Sequence, residues 1–193
     1  MTHVGDFLPF HTLADQVLAE IEEATKHSFL PIVGPAKGKI LAKTVEEANP
    51  CTILEIGTLI GYSAILMGKP LGENVTITTI EIHPEEAKTA EANIEKAAIK
   101  PKVKVLVGDA LKVIPTLNDS YDAVFIDAEK TEYYQYIRLM EDKLHKGTVI
   151  VADNAGIFAD QMQDYLEYVR KSGKYQSRYV QVGEDGLEIS VKT

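Results

Sequence analysis

The amino-acid sequence predicts an α/β fold, a mostly parallel sheet with helices on both faces. Two observations predict it. Short apolar runs, several rich in β-branched residues, alternate five times with helical patterns. The tail then carries two further strand-like runs, Tyr175 to Val182 and Leu187 to Val191, joined around Gly183-Glu184-Asp185-Gly186 as a hairpin.

Two helical patterns come first. Leu13, Val17, Leu18 and Ile21 recur at helical spacing, Pro31 interrupts them, and a second pattern runs from near Lys37 through Ile40, Leu41 and Val45 toward Pro50. Thr52 to Ile56, ended by Gly57, reads as a buried parallel strand followed by a helix from about Tyr62. Val75 to Ile82 is the second strand. Pro84 then sits where a first-turn proline belongs, ahead of a helix over Glu85 to Ala98. Val103 to Val107 is the third strand, with a helix from about Ala110. Tyr121 to Ile126 is the fourth, with a helix from Glu132 to Leu144, and Gly147 to Ala152 is the fifth, with a helix near Asp160 to Lys171.

The chain has 193 residues, 45% of them hydrophobic and 25% charged, which suits one soluble globular domain over residues 1–193. Residues 1–30 read as a variable helical N-terminal segment. The net charge of −9 disfavours nonspecific attraction to nucleic acid or anionic membranes. A single cysteine, Cys51, allows no intrachain disulfide, and no secretory signal is evident, so a cytoplasmic setting is expected. No apolar run reaches the roughly 18 residues that a membrane-spanning helix needs.

In sheets of this kind ligands bind beyond the carboxyl ends of the strands. Those ends carry Glu55 with Gly57, Glu81, Gly108 with Asp109, Asp127, and Asp153 with Asn154. Acids gathered at one edge repel each other and call for a cation among them. Glu55, before the Gly57-to-Gly61 turn, would repel a pyrophosphate. The turn also has only two glycines, three residues apart, where a dinucleotide site wants three. S-adenosylmethionine, with a sulfonium, an ammonium and no phosphate, fits better. Glu81, roughly 20 residues on, stands where an acid accepts from ribose hydroxyls. Gly108-Asp109-Ala110 would hold the adenine, and Asp109 serves equally well as the N-cap of the next helix.

Asp127, Asp153 and Asn154 would converge as three oxygen ligands for a hard divalent cation such as Mg²⁺. No Cys/His set with zinc spacing is present. Lys130, three residues past Asp127, is the candidate general base: a neighbouring cation and partial desolvation both favour its neutral form. It would take the proton of a hydroxyl acidified by the metal, and the oxyanion would attack the methyl carbon in line with the departing sulfur.

At these residues the sequence resembles the cation-dependent O-methyltransferases, the group of catechol and caffeoyl-CoA O-methyltransferase, from about Val33 to the C-terminus. The anchors are Val33-Gly34 with Lys37-Gly38-Lys39-Ile40, Glu55-Ile56-Gly57 with Gly61-Tyr62-Ser63, Glu81-Ile82, Phe125 to Lys130, Ala152-Asp153-Asn154, and Asp185-Gly186-Leu187-Glu188. The resemblance implies the Rossmann-like class I methyltransferase fold, seven-stranded with an antiparallel last strand. It implies Val33, Glu55, Gly57, Ser63, Glu81 and Ala110 around S-adenosylmethionine, Asp127, Asp153 and Asn154 as metal ligands, and Lys130 as base. Where catechol O-methyltransferase has a histidine and a tryptophan after the first metal aspartate, this chain has Ala128 and Glu129. Tyr179 stands where that enzyme has a catechol-binding glutamate.

The expected function is O-methylation of a vicinal diol or phenol on a small molecule, with a homodimer admitted as a partner state. A hydroxylated tRNA base is an alternative acceptor, opposed by the charge and by the lack of a basic run beyond Lys100, Lys102 and Lys104. A nicotinamide-binding oxidoreductase and a non-catalytic scaffold of the same fold are the other readings.

Overall fold

In the computed structural model, which describes residues 12–193, the five alternating runs form β1 (Thr52–Ile56), β2 (Thr76–Glu81), β3 (Lys102–Val107), β4 (Tyr121–Ile126) and β5 (Leu144–Ala152). The tail forms β6 (Tyr175–Val182) and β7 (Asp185–Lys192). All seven lie in one sheet in the order β3-β2-β1-β4-β5-β7-β6. The first five pair in parallel, and β7 runs antiparallel between β5 and β6, as the resemblance implied. The chain builds outward from β1 to β3 and then returns to the other side of β1. The β1–β4 boundary is therefore the switch point at which a crevice opens.

Alternation along each strand divides the core between the two faces. Ile53, Phe125 and Val151 point toward α1 (Leu13–Ala24), α2 (Gly34–Ala48), α3 (Tyr62–Gly68) and α4 (Pro84–Ala97). Leu54, Val124 and Ile150 point toward α5 (Ala110–Val113), α6 (Tyr133–Met140) and α7 (Gln163–Lys171). Among the described residues of the N-terminal segment the helix is α1, opened by a reciprocal capping box: the Thr12 hydroxyl accepts from the Asp15 amide at 3.1 Å and the Asp15 carboxylate accepts from the Thr12 amide at 3.0 Å. The part of that expectation covering residues 1–11 lies outside the described residues.

Several boundaries move. The helix expected through Leu144 stops at Met140, and β5 starts at Leu144 rather than Gly147. Lys192 of β7 donates to the carbonyls of Glu141 and Leu144, both at 2.8 Å, satisfying groups that another helical turn would have used. The helix after β3 lasts four residues before Pro115 turns it into a 3-10 segment. The tail turn is two residues, Gly183-Glu184, because Val182 and Asp185 already pair across it. Gly183 has φ +63, the left-handed conformation a tight hairpin demands at its first central position.

Beneath the sheet end, fully buried Glu188 is held by Arg170 in a two-pronged pair, Nε to Oε1 at 2.8 Å and Nη2 to Oε2 at 2.6 Å. The Arg170 side chain is 43% exposed, so water screens it. Arg170→Met should therefore cost about 2 kcal/mol, below the ~3–5 kcal/mol of a fully buried pair. Thermal denaturation should show the midpoint lower by about 4–8 °C; an unchanged midpoint would show that Glu188 needs no counter-charge.

Candidate active site

The crevice at the switch point is a cleft of about 480 Å³. Val33, Gly57, Ser63, Glu81, Gly108, Asp109, Ala110 and Asp127 all line it. It is thus the meeting place of the ends of β1 to β4 and the start of α2. Gly57 is fixed there by geometry. Its φ is +96, and a Cβ would lie 2.3 Å from the Asp127 carbonyl oxygen, so no side chain fits where β1 passes β4.

Glu55 lies under the cleft rather than in its wall. It is fully buried, Thr79 donates to its Oε2 at 2.5 Å, and its Oε1 has no hydrogen-bond partner among the described residues. Burial pushes its carboxyl up to about 7, with the hydroxyls of Ser63 and Thr79 pulling the other way and the Asp127 and Glu81 charges adding to the rise. Glu81 is held by two backbone amides, Leu59 to Oε2 at 2.7 Å and His83 to Oε1 at 2.9 Å. Asp109 is the N-cap of α5: Oδ1 accepts from the Leu111 amide at 2.9 Å, and Lys112 pairs with Oδ2 at 3.1 Å.

At the other end of the site the ladder hydrogen bonds continue one step past the strands. The Asp127 amide donates to the Ile56 carbonyl at 2.9 Å and the Asp153 amide to the Ile126 carbonyl at 3.0 Å. This places the two aspartates on adjacent strand ends, as the sequence order suggested. Asn154 follows in the left-handed region, φ +61, which asparagine tolerates better than most residues. Lys130 donates to Asp127 Oδ1 at 2.8 Å and to the Tyr133 hydroxyl at 3.1 Å. It pairs with neither Glu129 nor Glu132.

Two partners in this network were anchors of the resemblance but had no assigned place in the site. Lys37 of α2 pairs with Asp153 Oδ1 at 2.6 Å and Asp185 Oδ2 at 2.7 Å, with its side chain 14% exposed. Asp185 also accepts from the Asn154 side-chain amide at 2.9 Å and from the Gly156 and Ile157 amides at 3.1 Å. Burial opposes the Asp185 charge, but Lys37 and these donors outweigh it and hold the carboxyl down at about 2. For Asp153 the balance runs the other way: burial and then the Asp127 charge push its carboxyl up against the pull of Lys37. Lys37 and Asp185 are 148 residues apart, and no local pattern announces their meeting. Tyr179 lies beside this network, its ring against Gly186 and its hydroxyl over Gly156.

A family model described as O-methyltransferase matches residues 11–173. The chain belongs to that family. Catechol O-methyltransferase B of Danio rerio is 36% identical over 189 residues, covering 91% of this chain and 71% of that protein. Catechol O-methyltransferase of Sus scrofa is 35% identical over 172 residues, covering 82% of this chain and 91% of that protein. Among solved structures, the O-methyltransferase from Bacillus cereus in complex with SAH matches with a TM-score of 0.83 at 26% identity, over 97% of this chain and 94% of that one. The resemblance to the cation-dependent O-methyltransferases therefore holds, and the oxidoreductase reading is set aside. Among the described residues no helix of this O-methyltransferase chain is long and apolar enough to cross a membrane.

The Glu55 shift gives a pH prediction. Its carboxyl titrates near 7 in the folded chain against 4.5 ordinarily, so folding favours the protonated form. That stabilisation is full below about 4.5 and is lost as the pH rises through about 7. Asp153 shifts in the same direction. The melting temperature of the ligand-free protein should fall across this window, and Glu55→Gln should flatten the fall. A melting temperature that rises with pH in the wild type would mean that Glu55 is folded as a satisfied carboxylate.

Proposed function

We propose that this chain transfers the methyl group of S-adenosylmethionine to a hydroxyl of a vicinal diol on a small phenolic molecule, with a divalent cation and Lys130 assisting. What supports the reading is that Asp127 and Asp153 end adjacent strands, with Asn154 next in the chain and Lys130 hydrogen-bonded to Asp127, which lines a cleft set above the buried, partly unpaired carboxylate of Glu55.

The residues present fit the cofactor. The free Oε1 of buried Glu55 suits an ammonium and would repel a phosphate. Glu81, with each oxygen taking only one backbone amide, retains lone pairs for two ribose hydroxyls. Gly57 and Ser63 leave the backbone open between them, and Gly108 with Ala110 bounds the far end. The SAH in the Bacillus cereus relative supports this assignment. The residues also fit a hard cation, since two carboxylates and an amide make an oxygen-only donor set, and Mg²⁺ is the natural occupant.

When bound, the cation supplies Lewis acidity that eases loss of the acceptor's hydroxyl proton. The chain's own residues do the rest. Lys130 Nζ, set by Asp127 and the Tyr133 hydroxyl, stands within reach of the ligand set to take that proton. Lys37 and Asp185 hold Asp153 and Asn154 in place. Glu55 and Glu81 fix the cofactor's two polar ends, and the strand-end geometry aligns acceptor with methyl donor. The net charge of −9 favours a small molecule over a tRNA.

Lys130→Met should lower kcat for methylation of a catechol panel by about 10²–10⁴-fold, the usual worth of a general base. Its SAH affinity by calorimetry should stay at the wild-type value. Asp153→Ala should abolish Mg²⁺-dependent turnover with SAH affinity nearly intact. If either variant loses SAH binding, the cofactor and metal ends are not divided as proposed; if the wild type methylates no diphenol, the acceptor class is wrong.

A further inference from the structure

The far end of the cleft, beyond Gly108 and Ala110, holds an acid with a free oxygen. Three carboxylates stand there: Asp109, Glu129 and Glu132. Asp109 is occupied on both oxygens, by the Leu111 amide and by Lys112. Glu129 is exposed, and its Oε1 accepts from the Thr131 amide at 3.3 Å and hydroxyl at 3.0 Å, capping the short turn after β4. Glu132 differs. Its Oε2 accepts from the Tyr136 hydroxyl at 2.6 Å, and its Oε1 takes no hydrogen bond or ion pair among the described residues.

Tyr136 makes Glu132 a fixed feature. Four residues on, one helical turn away, it is 3% exposed, and its ring packs against Tyr133 with centroids 6.2 Å apart. Its hydroxyl holds one carboxylate oxygen from below and leaves the other to whatever fills the cleft. A carboxylate accepts and does not donate. The group it would read at this end is therefore a donor on the rim of a planar base, not a carbonyl.

We propose that Glu132 Oε1 accepts from the exocyclic amine of the cofactor's adenine, and that Tyr136 is a positioning residue acting through Glu132. The proposal rests on the S-adenosylmethionine reading above and goes beyond it by assigning base recognition to a residue outside the strand-end motifs. It also explains how Asp109 can be given over wholly to capping α5: the amine has another acceptor.

The test compares SAH with its purine analogue, in which hydrogen replaces the exocyclic amine and the ring nitrogens keep their acceptor state. Calorimetry on the wild type should show SAH binding tighter by about tenfold or more, the usual worth of a hydrogen bond to a charged group. Glu132→Gln presents a donor as well as an acceptor, so that preference should shrink by about tenfold. Tyr136→Phe keeps the acceptor and frees it to move, so it should reduce the preference by less. Melting temperatures of the variants near the wild-type value separate recognition from folding. A Glu132→Gln variant that binds SAH and keeps the full wild-type preference overturns the proposal alone. A wild-type protein that binds no SAH overturns the cofactor reading and this assignment with it.

Discussion

Carboxylate repulsion at the C-terminal edge of the sheet is the constraint to which the rest of the molecule answers. Asp127, Asp153 and Asp185 crowd one corner, and two ammonium groups, Lys130 and Lys37, are placed among them. Partly buried charges at these separations interact far more strongly than exposed ones. Lys37 comes from α2 and Asp185 from the tail hairpin, so neutralising that corner also ties a helix and the last strands to the loop after β5. The folding of three distant segments and the shape of the candidate metal site are thus one electrostatic problem.

The cofactor half of the cleft is organised by a different imbalance. Glu55 is buried with an unpaired oxygen, which costs stability in the ligand-free chain. Glu81, by contrast, is fully supported by backbone amides. Under the proposed function the two would divide the work: the unpaired Glu55 oxygen would meet a cationic group, and Glu81, fixed by one backbone amide on each oxygen, would accept from hydroxyls.

Under the proposed function, substrate choice would rest on side chains beside the strand-end acids. Ala128, Glu129 and Tyr179 are the positions at which the sequence resemblance to catechol O-methyltransferase implies a departure. Tyr179 has a seat prepared by Gly156 and Gly186, where any added Cβ would strike its ring or hydroxyl. Under the proposed function, the acceptor side would differ at these positions while the strand-end acids keep the oxygen chemistry.

The sequence by itself determined the strand order of chemistry. Each of Glu55, Glu81, Asp109, Asp127 and Asp153 ends a strand, and a parallel sheet with crossover helices must put all those ends on one edge. Local signals of that kind are readable because strand, glycine and acid lie within a few residues. The tertiary structure alone decided the rest. It moved β5 back to Leu144, because Lys192 satisfied the carbonyls there. It brought Lys37 to Asp185 across 148 residues of chain and left one oxygen of Glu132 free. Such choices turn on which partner arrives first in space, and spacing along the chain holds no record of it.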